Sequence, residues 1–345
     1  MGLLVATGAV LAGMLASGCS SPSGASDPHQ VAYVATGSNL AVPSNAISVV
    51  DLATGKARKP IVTGATTTGT MPSAFAATPD GKDVLVTLQG VDQMIEVDVA
   101  SGAIVGRVAV GLEPDAVAVT PDGSLALVAN FGSGTVTPVS LPSLKAGRPI
   151  PVGTQPVAIA VTPDGSEALV ADNEAGTSAS TGTVTPIALP SQRPGPALAV
   201  GLEPSAIAIT PSGTTALVTD FESSDVTPIE LATDTVEPPI AIGSNPTDIA
   251  IGGTTAYVSG GNTVTPLDLG TLRVGTPIAV KTTAQALALA DGGQKAWVCG
   301  GNGALIGVDL TTGTVGRSVH VGGQPTAVLV PNPRSSGTRR VGARR

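Results

Sequence analysis

An all-β fold, a seven-bladed β-propeller of four-stranded antiparallel blades, is predicted by three observations. The first is composition. The 345 residues include 44 Gly and 29 Pro, with 12% charged, 2% aromatic and 42% apolar residues. So many breakers and so few charges exclude a helical bundle or coiled coil, and the apolar content is too high for a disordered chain. The second is a repeat: a marker dipeptide falls at Tyr33-Val34, Leu85-Val86, Leu127-Val128, Leu169-Val170, Leu217-Val218, Tyr257-Val258 and Trp297-Val298, with spacings of 52, 42, 42, 48, 40 and 40. That period, with four short strands per unit, is the period of a propeller blade. The third is that the two ends of the repeating body complement each other.

Within a unit, the first strand is an alternating apolar run such as 116–120, 158–162 or 206–210. A tight turn follows, Thr78-Pro79-Asp80-Gly81, Thr120-Pro121-Asp122-Gly123 or Thr162-Pro163-Asp164-Gly165, with Thr210-Pro211-Ser212-Gly213 as a variant. Gly tolerates positive φ there and Asp can bond the turn backbone. The second strand carries the marker dipeptide. The third reads TVTPV at 135–139, TVTPI at 183–187, DVTPI at 225–229 and TVTPL at 263–267. Proline cannot donate to a sheet ladder, so the outer strand is expected to pair loosely or to bulge opposite Pro138, Pro186, Pro228 and Pro266. A Gly-X-X-Pro turn closes the unit at 111–114, 153–156, 201–204 and 243–246.

The body opens on a second-type strand at 31–37 and finishes on a first-type strand at 325–330. The C-terminal strand is therefore expected to join the N-terminal blade, which removes two exposed sheet edges. The body resembles the YVTN-type β-propeller repeat family, on Tyr33-Val34-Ala35-Thr36, Leu127-Val128-Ala129-Asn130 and Tyr257-Val258-Ser259-Gly260 together with the Pro-Asp-Gly and Gly-X-X-Pro turns. The resemblance spans residues 31–331. It implies the fold and a secreted or surface-associated protein, and it is nearly silent on activity, because the motif residues build strands and turns.

The ends read differently. Residues 3–16 are apolar and uncharged, too short to span a membrane and suited to a signal-peptide core. Leu15-Ala16-Ser17-Gly18-Cys19 resembles a bacterial lipobox, although leucine stands one place early and no Lys or Arg precedes the apolar run. The expected organisation is a signal peptide over 1–18, lipidated Cys19 with a flexible tether over 19–30, the propeller over 31–331 and a disordered basic tail over 332–345. Such a chain would be exported to the cell envelope and held by its lipid on the outer face of a bacterial membrane.

The formal charge is −8, but five arginines crowd the last twelve residues, and the remainder holds 12 basic against 25 acidic residues. An anionic body disfavours nucleic acid. The loops expected at one mouth of the central channel carry Asp92, Glu113, Asp115, Asp172, Glu174, Glu203, Asp220, Glu222, Asp225 and Asp248, with Lys281 the one basic residue placed there. That face would attract a cationic protein partner. Converging carboxylates are also hard-cation chemistry, but no calcium-loop motif is present and no metal ligand is assigned.

Catalysis has little support: His29 lies in the tether, His320 on an outer strand, and Cys299 reads as a small apolar strand residue. Tryptophan docking motifs for a quinone cofactor are absent, so no cofactor is expected. The sequence thus points to a monomeric, non-catalytic binding or scaffolding module. The alternatives are a hydrolase-, lactonase- or lyase-like propeller enzyme with its site at the channel, and a purely structural envelope protein.

Overall fold

The computed structural model describes residues 30–37, 45–64, 69–141, 143–173, 181–243 and 245–331. The segment expected to be a signal peptide, Cys19, the expected tether up to residue 29, Glu174 and the expected basic tail lie outside the described residues.

Seven antiparallel sheets follow one another along the chain. In blade 3, Pro114–Val119 is innermost, followed outward by Leu125–Asn130, Thr135–Ser140 and an outer strand in two pieces, Lys145–Ala146 and Ile150–Pro151. The other blades repeat this order. Blade 1 is completed from both ends: Val31–Gly37 pairs with Gln324–Leu329, with Tyr33 opposite Leu329 and Val34 opposite Val328. The expected ring closure is therefore present, and it leaves no inner strand unpartnered.

The turn between inner and second strands is held by its own side chains. Thr120 Oγ1 donates to Asp122 Oδ1 at 2.6 Å and accepts from the Leu125 amide at 3.1 Å, while the Ser124 amide donates to Asp122 Oδ1 at 3.0 Å. Gly123 has φ +72°, a conformation costly for any residue with a Cβ.

The prolines act as expected. Pro138 lies opposite Leu127, and its carbonyl accepts from the Gly147 amide at 2.7 Å. Its nitrogen therefore faces outward, and the outer strand breaks there into its two pieces. Blades 4 and 5 repeat the break, whereas blades 2 and 7, with Glu96 and Gly307 in place of the proline, keep continuous outer strands, Ile104–Ala109 and Thr314–His320. Blade 1 is split between Lys56–Ala57 and Ile61–Val62 although Val49 occupies the third-strand proline position; Pro60 lies in the gap, as Pro149, Pro196 and Pro239 do in the other split blades, so the outer strand's own proline also interrupts it.

The core lies in the layers between neighbouring blades and is built of Val, Ala, Leu and Ile. Tyr33, Phe75 and Trp297 supply the large buried rings. Trp297 pairs across the sheet with Gly307, where an added Cβ would come within 3.3 Å of the indole. Blades are also latched by hydroxyls. Ser73 Oγ donates to the Pro114 carbonyl at 2.8 Å, Ser205 Oγ to that of Pro246 at 2.8 Å, and Thr247 Oγ1 to that of Ala284 at 2.9 Å. Each latch runs from one innermost strand to the next.

Strand direction sorts the connections onto two faces. The inner-to-second and third-to-outer turns share a turn face, where Gln30 and Pro331 also lie. The second-to-third loops and the Gly-X-X-Pro connections share the opposite, rim face.

Candidate functional site: the rim face

The Gly-X-X-Pro connections carry left-handed residues just before proline: Glu113 at φ +50°, Gln155 at +53°, Glu203 at +54° and Asn245 at +51°. In three of them the turned backbone aims its carbonyl at the adjoining loop. Phe131, Asn173 and Phe221 amides donate to the carbonyls of Glu113, Gln155 and Glu203 at 2.9, 3.0 and 2.9 Å. The rim is thus a set of braced loops.

The carboxylates expected here divide into two groups. Glu113 and Glu222 are exposed, and Asp92, Glu203 and Asp225 are half-buried. Asp92 Oδ1 accepts from the Glu113 amide at 2.8 Å, and burial with the neighbouring Glu222 charge raises the Glu203 carboxyl above its ordinary range. Asp115, Asp172, Asp220 and Asp248, by contrast, are buried, which corrects their placement on an open binding surface. For Asp172, Asp220 and Asp248 the physical reason is that an acceptor is needed inside.

Asn130, Asp172 and Asp220 share one position at the end of the second strand. Asn130 Oδ1 accepts from the Gly111 amide at 3.0 Å, and its Nδ2 donates to Thr137 Oγ1 at 2.9 Å. Asp172 accepts from Thr185 Oγ1 at 2.7 Å, and Asp220 from Thr227 Oγ1 at 2.6 Å. Each side chain fills the space above the glycine of a Gly-X-X-Pro turn, where an added Cβ on Gly111, Gly153 or Gly201 would come within 2.6–2.7 Å of it. Asn130, the interblade hydroxyls and these glycines were not among the residues expected at the site. Their signal is the Gly111/Asn130, Gly153/Asp172 and Gly201/Asp220 pairing repeated through the sequence.

Asp248 stands where the other six blades have Ala74, Ala116, Ala158, Ala206, Ala286 and Ala327. It accepts from its neighbour Ile249 at 2.8 Å and from the Leu287 amide of blade 7 at 2.8 Å, and burial pushes its carboxyl up to about 7. Cys299 is buried and free, its thiol driven up by desolvation and by Asp248.

The turn face is not poor in acids, so the two faces differ in pairing rather than in carboxylate number. Asp51, Asp80 and Asp291 pair with Arg58, Lys82 and Lys295 at 2.6, 2.8 and 2.8 Å. The Arg58 and Lys82 bonds, with turn hydroxyls and amides, hold Asp51 and Asp80 at about 2. Among the described residues no ion pair forms on the rim, and no group of three or more His, Cys, Asp and Glu is placed to hold a metal ion.

These features define a ring-closed, seven-bladed β-propeller whose rim carboxylates, among the described residues, form no ion pair. The YNCE-like beta-propeller family model matches residues 14–255, and the chain belongs to that family. The repeat continues beyond the match through blades 6 and 7. Two solved structures share the fold. A functionally unknown protein from Desulfotomaculum acetoxidans is 18% identical with a TM-score of 0.72, over 88% of this chain and 99% of that one. Hydrazine synthase from Kuenenia stuttgartiensis is 20% identical with a TM-score of 0.68, over 74% of this chain and 88% of that one. Among curated proteins, none is significantly similar to the chain.

Proposed function

We propose that the protein is a non-catalytic binding module that engages a cationic protein through the rim of blades 2–5. The observation that carries this reading is the set of solvent-reaching carboxylates, Asp92, Glu113, Glu203, Glu222 and Asp225, against which the rim loops offer Lys281. A single-signed surface on braced loops raises encounter rates with an oppositely charged partner and loses that advantage in salt.

The reading includes export and a lipid anchor at Cys19. Gln30 and Pro331 both lie on the turn face, so a tether from Cys19 would set that face toward the membrane and the rim away from it. Nucleic acid has no place in it, and the monomer is the working unit.

One experiment tests both parts. The full chain, a Cys19→Ala chain and a Glu113→Gln/Glu203→Gln/Glu222→Gln chain are expressed and fractionated, and complexes are captured from envelope extracts at low and then high salt. We expect Cys19→Ala to move the protein out of the membrane fraction. The triple variant is expected to lose a partner that high salt also releases. A partner retained by the triple variant in high salt would sink the rim reading, and an unchanged fractionation would sink the anchor.

A further inference from the structure

Charge is unevenly shared around the ring. Residues 194–272, from the outer strand of blade 4 through blade 5 to the third strand of blade 6, hold nine acidic residues and no Lys, Arg or His. Inside the sheet a proton settles the excess. The buried Asp220 stands opposite Asp225, desolvation pushes both carboxyls above their ordinary range, and one proton shared between them satisfies the pair. On the turn face the acids meet no base. In blade 1 the third strand ends in Asp51, and Arg58 follows the first piece of the outer strand and pairs with it at 2.6 Å. The Arg58 amide donates to the Val49 carbonyl at 2.7 Å, and in blade 5 the Glu237 amide donates to that of Pro228 at 2.9 Å. Glu237 therefore takes the place of Arg58, and Glu230 that of Asp51. An acid has replaced the base. Blades 3, 4 and 6 have Gly147, Gly195 and Gly275 there.

Glu230 and Glu237 line a cleft of about 470 Å³ between blades 5 and 6, whose apolar walls are Leu217, Pro238, Leu269 and Leu272. Val236, Leu272 and Val274 are exposed on the segments around it. Arg273 follows Leu272 and forms no ion pair with either glutamate. Asp234 is exposed at the same end of blade 5, and burial, with the Asp234 and Asp164 charges, raises the Glu167 carboxyl of blade 4. Carboxylates above aliphatic walls suit an arginine side chain, whose stem covers apolar surface while its planar fork meets carboxylate oxygens.

The chain carries such arginines itself. Residues 332–345, which lie outside the described residues, include Arg334, Arg339, Arg340, Arg344 and Arg345 and no acid. They follow Pro331, on the same face as the cleft. Fourteen residues span at most about 46–50 Å, whereas a folded body of roughly 300 residues has a radius of gyration of about 19 Å. The cleft is within their reach. We propose that residues 332–345 are the occupant of this cleft: the tail crosses the turn face in cis and seats arginine on Glu230 and Glu237. Blade 5 thereby takes from the tail the base that blade 1 takes from Arg58. The contact does not depend on the partner proposed for the rim.

The test uses full-length chains and a fluorescein-labelled peptide of residues 332–345, followed by anisotropy at low and at high salt. The acceptor is a chain in which Arg334, Arg339, Arg340, Arg344 and Arg345 are each replaced by Gln. We expect it to bind the peptide at low salt and to release it at high salt. The wild type should bind about tenfold more weakly, because a tail at an effective concentration of about 1 mM competes with a peptide whose Kd is about 0.1 mM. Adding Glu230→Gln/Glu237→Gln to the acceptor should weaken binding at least tenfold. Adding Glu237→Arg, which gives blade 5 the acid–base pairing of blade 1, should do the same, and it keeps the test open if the double substitution fails to fold. The rim substitutions Glu113→Gln/Glu203→Gln/Glu222→Gln should leave binding intact. No binding by the acceptor, or full binding by both cleft variants, would overturn the cleft as the site. Loss with the rim substitutions alone would also overturn it, by moving the tail to the rim. Equal binding by acceptor and wild type would overturn docking in cis. So would a wild type that sediments as a dimer which salt dissociates, since the cleft would then hold the tail of a second copy.

Discussion

Asp248 shows what one atypical residue does inside a repeat. Its carboxyl sits in an alanine slot and reaches an amide of the next blade, at the cost of burying an acid. Folding holds the group near 7, against an ordinary aspartate range near 4. Between those values the folded chain keeps a proton that the unfolded chain releases. Stability contributed by this group is therefore full below about pH 4, falls as pH rises toward 7, and is flat above, a loss of up to about 4 kcal/mol. Asp248→Ala should remove that slope and lower stability at acid pH, where the Leu287 amide loses its acceptor. Urea unfolding at several pH values between 4 and 8 reads both effects, and a variant that keeps the wild-type slope would refute the assignment.

The turns are where the repeat is most regular. Three of them use a Thr-Asp pair, in which Thr78, Thr120 and Thr162 donate to Asp80, Asp122 and Asp164 at 2.9, 2.6 and 2.7 Å. Blade 5 has Ser212 instead, which shares hydroxyl bonds with Thr210 at 3.1 Å and Thr214 at 2.8 Å. A carboxylate there would accept from the Thr210 hydroxyl and the Thr214 amide, as its counterparts do. Ser212→Asp is expected to stabilise the chain by about 0.5–1 kcal/mol, since charged acceptors bond more strongly than hydroxyls. Equilibrium unfolding measures it, and a destabilised variant would show that added charge on this face outweighs the new bonds. Strand edges follow the same logic of local chemistry: proline in the third or outer strand breaks the edge in blades 1 and 3–6, and a broken edge is a poor template for another chain.

The ring is a single closure problem. Blade 1 draws its innermost strand from the C-terminus, and Ala327, Val328 and Leu329 are buried there. Ser48 Oγ adds a bond to the Val321 carbonyl at 3.1 Å across the same seam. Deleting residues 324–345 strips an inner strand from blade 1 and leaves the Val31–Gly37 edge open to the channel. The truncated chain is expected to lose its cooperative unfolding transition and to self-associate, read by calorimetry and light scattering, whereas removal of 332–345 alone should leave the transition in place. A truncated chain that unfolds as sharply as the full one would mean that closure contributes little.

Most of this architecture was legible along the chain, because it depends on local rules. Alternation and turn residues marked the strands, repetition of Leu-Val or Tyr-Val counted the blades, and Pro138 and its equivalents announced broken outer strands through a missing donor. The candidate site was half legible. Loop position put Glu113, Glu203 and Glu222 on the same expected face as Asp115, Asp172, Asp220 and Asp248, and only the first three reach solvent. An acid at a strand end reads alike whether it meets water or a buried amide. By itself the sequence determined strand order, blade number and closure, since each follows from neighbours within about 50 residues or from the match of the two ends. Only the tertiary structure decided which carboxylates face solvent and which brace a glycine turn or face a second acid. That depends on the close approach of strands and connections around the ring, and no residue's own chemistry encodes it.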